Sequence, residues 1–130
     1  MVGVLNDACL ALMTSIGHRV GLFDTLAGLS PATSEQIADA AGLRERYVRE
    51  WLGAITTSAV VEYKPETRTY RLPPEHAACL TRAAGPDNLA GITQLVPLLA
   101  SVESPLIACF CDGGGVPYSA YGDFHRLRPS

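Results

Sequence analysis

Residues 42–72, GLRERYVREWLGAITTSAVVEYKPETRTYRL, decide the fold. Leu43, Tyr47, Val48, Trp51, Leu52 and Ile55 recur at helical spacing and predict one apolar face. Arg46, Arg49, Glu50 and Gly53 fall on the other side. Two β-prone runs follow, at 59–63 and 68–72, joined by Lys64-Pro65-Glu66-Thr67. Proline at the second position of a turn pre-sets its backbone angle, so the two runs read as a hairpin. Just upstream, Thr33-Ser34-Glu35-Gln36 has the form of a capping box, and Gly42 supplies a left-handed stop. Short helix, tight turn, longer helix and hairpin make a winged helix-turn-helix in a mainly α chain.

The flanks extend this plan. Leu5, Cys9, Leu12 and Ile16 give residues 4–16 the apolar stripe of a first amphipathic helix. Gly17 and Gly21 predict a bend around His18 and Arg19, before a short apolar helix at 22–26 that Gly28 ends. Beyond the hairpin, Pro74 and Glu75 suit the first turn of a helix reaching Leu80, and Gly85-Pro86 closes that segment. Asp87 is placed to cap a longer helix carrying Leu89, Ile92, Leu95, Val96 and Leu99, kinked at Pro97. A last apolar helix, 105–111, stops at Gly113-Gly114-Gly115. The expected division is a winged-helix domain at 1–85 and additional helices at 86–130.

Charge bears on what such a scaffold does. The 130 residues are 48% hydrophobic and 18% charged, enough to bury a core, and their formal net charge is -3. Phosphate neutralisation supplies most non-specific DNA affinity, so an acidic chain starts at a disadvantage as a DNA binder. The longer helix sets Arg44, Arg46 and Arg49 against Glu45 and Glu50; the hairpin sets Lys64, Arg68 and Arg71 against Glu62 and Glu66. Each therefore carries only one net positive charge. Arg46, Arg49, Lys64 and Arg68 are the candidate DNA contacts, but the polar side chains that read base edges are missing beside them. Nucleic-acid binding is the alternative reading and not the favoured one.

Other motifs carry less. Asp112-Gly113-Gly114-Gly115 lacks a strand before it and a helix start after it, so it reads as a connector and not as a nucleotide loop. Cys109 and Cys111 have no second ligand pair at zinc spacing, and both are expected as buried thiols on one helix. No metal site is expected. No secretory signal or membrane-spanning run is apparent, and the expectation is a cytoplasmic protein with reduced cysteines. His125, with Tyr118, Tyr121 and Phe124 close in sequence, makes an aromatic group that calls for a partner surface.

Taken together, Gly21-Leu22-Phe23-Asp24-Thr25-Leu26-Ala27 and Thr33-Ser34-Glu35-Gln36-Ile37-Ala38 resemble the N-terminal dimerisation domain of class I S-adenosylmethionine-dependent methyltransferases. The O-methyltransferases carry a similar winged helix. Residues 45–53, 70–77 and 113–121, with Phe124 and His125, are similar to a bacterial-type winged-helix methyltransferase group, a mycobacterial member among them. The resemblance implies a module that pairs subunits and helps enclose substrate. It places Tyr118, Tyr121, Phe124 and His125 near a cofactor–substrate cleft.

In that family a Rossmann-like domain follows, opening with a strand and an acidic glycine-rich loop for S-adenosylmethionine. No such motif occurs in these 130 residues, and Arg126-Leu127-Arg128-Pro129-Ser130 departs from the family's acidic helical continuation. The expectation is a chain without its catalytic domain, residues 86–130 being a helical connector and truncated lead-in. Alone, it is expected to bind no cofactor, to be inactive, and to form a homodimer or pair with a full-length relative. A second departure is Thr57-Ser58, where the family ends this helix on glycine.

Overall fold

The structure, a computed structural model, describes residues 1–121. Helix α1 spans Val2–Arg19, α2 Leu22–Ala27, α3 Ser34–Ala41 and α4 Glu45–Thr57. Strands β1 (Glu62–Lys64) and β2 (Thr69–Arg71) pair antiparallel, with Tyr63 opposite Tyr70. Helices α5 (Pro74–Leu80), α6 (Leu89–Ile92), α7 (Leu95–Ala100) and α8 (Glu103–Asp112) follow. The architecture is the expected winged helix-turn-helix with further C-terminal helices.

The turn at its centre forms as the residue types require. Thr33 Oγ1 accepts the Gln36 N–H at 3.2 Å, and Gln36 Oε1 accepts the Thr33 N–H at 2.9 Å. This capping box satisfies backbone donors that the first turn of α3 would otherwise leave open. Gly42 ends α3 at φ 69°, a left-handed angle that glycine adopts without steric cost. Ala32 exchanges two backbone hydrogen bonds with Tyr70, at 3.1 and 2.8 Å, so the loop before α3 is stitched to the wing.

The core lies where α1, α2, α3 and α4 meet. Phe23, Ile37, Val48, Leu52, Ile55 and Val61 are its fully buried large side chains. Burying each is worth roughly 1.5–3 kcal/mol relative to exposure. Trp51 packs edge-on against Phe23, ring centroids 5.3 Å apart, and its Nε1–H donates to the Met13 carbonyl at 2.8 Å. Ala90 of α6 is buried in the same core.

Four local expectations are corrected. Helix α1 does not break at Gly17 but runs through it to Arg19, and the glycine serves close packing: a Cβ there would fall within 2.9 Å of Phe23 Cε2 of α2 and Trp51 Cε2 of α4. The stripe Leu5, Cys9, Leu12 and Ile16 is exposed, while Leu10, Met13, Thr14 and Gly17 face the core. The run 59–63 is not all strand. Ala59 sits at φ 61° and supplies the left-handed stop of α4, with its N–H on the Thr56 carbonyl and that of Val60 on Ile55. Last, Asn88 rather than Asp87 caps α6, and the break falls at Thr93 and Gln94, ahead of Pro97. A proline ring collides with the carbonyl four residues back, here Thr93, so the helix divides upstream of the ring.

Candidate functional site

A winged helix offers α4 and the wing to a ligand, and these elements position most of the candidate residues. Val48, Trp51, Leu52 and Ile55 anchor α4 in the core, which turns Arg46 and Arg49 outward. Both arginines meet a carboxylate one turn away: Arg46 Nε lies 3.7 Å from Glu50, and Arg49 Nε 3.7 Å from Glu45. In the wing, Arg71 pairs with Glu62 at 3.0 Å. Lys64 ends β1, exposed, and Arg68 occupies the loop at φ 53°. Exposed pairs of this kind contribute little stability, but they reduce the positive charge that a phosphate backbone would meet.

Two of the four basic candidates come together. Arg49 and Arg68 line a cleft of about 530 Å³ with Thr33, Ser34, Glu35, Glu45, Tyr63, Thr67 and Tyr70. Ser34 Oγ donates to Glu45 at 3.1 Å, and Tyr63 and Tyr70 pack ring to ring at 4.7 Å. Hydrogen bonds from backbone and hydroxyl donors, its own backbone N–H first, hold the Glu35 carboxyl below its ordinary range, so it stays ionised. Carboxylates and guanidinium groups balance in this cleft. Arg46 and Lys64 lie outside it.

A second hollow is apolar. Ile16, Val20, Leu22, Leu43, Tyr47 and Trp51 line a groove of about 220 Å³ between the end of α1 and the start of α4. Tyr47, expected on the buried face of α4, is 69% exposed at its rim. Its position one turn before Trp51 carries it past the edge of α1, where nothing covers the ring.

These observations give the fold its family. Residues 8–82 match the Rv2258c-like winged HTH domain. The chain belongs to that family. The match takes in α1 from residue 8, α2–α5 and the wing, so the capping box, α4 and the hairpin all fall inside this winged HTH unit. The chain is also similar to the solved structure of PigF with SAH, with a TM-score of 0.66 at 18% identity. That similarity covers 88% of this chain and 36% of the PigF chain, and at such identity it shows the fold alone. The chain spans about a third of the length of the structure it matches. No curated protein matches it.

The remaining candidates lie beyond the winged HTH unit. Tyr118 and Tyr121 occupy one 3-10 turn, their rings 6.5 Å apart, after the Gly113 stop of α8. Phe124 and His125 lie outside the described residues. The glycine run follows a helix and opens no helix at its end, so it is a connector. The buried-thiol expectation is corrected: Cys111 is exposed and Cys109 only half-buried, because α8 contributes no buried residue to the core. Among the described residues no three His, Cys, Asp or Glu side chains gather into a metal-binding group. Among them, too, no single helix is long and apolar enough to cross a membrane.

One cluster was not foreseen. Asp24 of α2 accepts from the Arg82 backbone N–H at 2.8 Å and from its guanidinium, which also donates to the His18 carbonyl at 2.7 Å. Arg82 therefore ties α1, α2 and the segment after α5 together. The separation of 58 positions between the two partners left no local pattern in the sequence to find.

Proposed function

We propose that this winged helix is the dimerisation and substrate-lid module of an S-adenosylmethionine-dependent methyltransferase. The observation that carries the reading is the distribution of surface: its apolar stripes are uncovered while the outward arginines of α4, Arg46 and Arg49, are paired with carboxylates. Leu5, Cys9, Leu12 and Ile16 form one exposed stripe on α1, and Leu106, Ile107 and Phe110 expose another on α8. Phe110 is 85% exposed. Apolar patches of this kind are the surfaces by which subunits associate. The fold shared with PigF, solved with the methyl-transfer product SAH, supports the same reading. In it, Tyr118 and Tyr121 lie near the cofactor–substrate cleft, the partner is a second copy or a longer relative, and the methyl donor belongs to the enzyme as a whole.

The second reading, a DNA-binding regulator, follows from the helix-turn-helix itself. A gel-shift series across salt concentration separates the two. The module reading expects only weak binding that disappears at physiological salt; sequence-dependent binding that survives there makes the chain a regulator.

A further inference from the structure

The imidazole of His18 sits in the seam between the winged HTH body and the helices that follow it. Helix α1 packs against α6 and α7, and His18 lies near the end of α1. Its Cε1 is the neighbour that a Cβ on Gly91 would meet at 3.7 Å, beside the Asn88 side chain that caps α6. Ring Nδ1 is enclosed there and has no hydrogen-bond partner. A neutral imidazole can carry its proton on Nε2 and leave Nδ1 bare. A protonated one must place an N–H at Nδ1, where no acceptor stands.

The charges facing the ring oppose its protonation. Arg82, from the 3-10 segment Arg82–Asp87, disfavours a positive imidazole, and Asp24 of α2 favours one. Both oxygens of Asp24 are already engaged by Arg82. Helices α6 and α7 carry no ionisable residue, and Arg19 beside His18 is exposed. Burial is the largest influence, and with Arg82 it holds the imidazole below its ordinary range.

From the enclosed Nδ1 and its place against Gly91 we infer that His18 is a proton-operated latch, holding α6 and α7 on α1 when neutral and releasing them when protonated. A charged ring is relieved once Nδ1 meets water, and with the ring set against Gly91 a movement of α6 away from α1 opens Nδ1 to it. The sign follows from linkage. The released or unfolded ring takes up its proton at the ordinary histidine value, above the docked one. Docking is therefore complete above about pH 6.5 and weakens as pH falls below it.

Amide hydrogen exchange on the full chain at about pH 7.5 and about pH 5.5, corrected for intrinsic exchange, tests the latch. Amides of α6 and α7 are expected to lose protection severalfold at the lower pH while those of α3 and α4 keep theirs. His18→Gln is expected to abolish that difference. Unchanged α6 protection in the wild type, or the same loss in His18→Gln, overturns the proposal. Should the variant fail to fold, an NMR titration of the wild-type imidazole decides: a His18 pKa at or above the ordinary histidine value overturns it.

Discussion

Gly17 lies directly beneath the indole of Trp51, closer than any side chain would permit. Glycine inside a helix ordinarily costs about 1 kcal/mol against alanine, so Gly17→Ala would stabilise an exposed helix. Here the added methyl collides with Trp51 and Phe23, both buried in the core. Overpacking of this kind costs roughly 1–3 kcal/mol. Gly17→Ala is expected to lower stability by about 1–2 kcal/mol net, read from denaturant titration of the chain. A more stable variant would mean that α1 and α4 are further apart than described.

Ala59 presents the opposite case. It holds a left-handed φ of 61° at the end of α4, and nothing but the backbone angle requires it. A left-handed conformation costs an L-residue roughly 1–2 kcal/mol, partly offset by the greater freedom of glycine in the unfolded chain. Ala59→Gly is expected to raise stability by roughly 0.5–1 kcal/mol, seen as a higher denaturation midpoint at unchanged slope.

Arg82 and Asp24 form a partly exposed pair, so the Coulombic share of their link is small. The backbone bond is the better part of it. Asp24→Ala removes the acceptor of the Arg82 N–H as well as the ion pair, whereas Arg82→Ala leaves that N–H bonded and, though it takes one donor from the His18 carbonyl, leaves the Gly21 N–H there. Asp24→Ala is therefore expected to cost more, by about 1 kcal/mol, and the order of the two melting temperatures checks it. Equal losses would assign the link to charge alone.

Much of the winged helix was legible because its signals are local. Thr33 and Gln36 cap α3, Gly42 ends it, and Pro74 opens α5, each within a few residues of its partner. The errors arose where contacts span the chain. The stripe from Leu5 to Ile16 has helical spacing, but periodicity says only that a face is apolar, not whether this chain or another covers it. Tyr47 shares the spacing of Val48 and Trp51 and is exposed for the same reason. Ala59 escaped notice because alanine rarely serves as a left-handed stop. Of the site, the near-balance of charge on α4 and the wing could be counted from the sequence. The cleft that joins Arg49 to Arg68 depends on how the wing folds back over α3, which no spacing encodes.

Charge pairing on α4 can be undone. Glu45→Gln with Glu50→Gln leaves Arg46 and Arg49 unpaired and removes two negative charges from that face. Non-specific DNA retention at low salt is expected to increase over wild type, with a steeper salt dependence. If the wild type already binds as strongly as this variant, the neutralisation argument fails.

The central claim is that the uncovered apolar stripes serve to join protein chains. Sedimentation equilibrium of the wild type and of Leu12→Glu tests it most directly, since Leu12 is exposed and contributes nothing to the core. The wild type is expected to form a dimer at high protein concentration that Leu12→Glu weakens at least tenfold, a change of about 1.4 kcal/mol, without loss of fold. A wild-type chain that stays monomeric over the same range would contradict it.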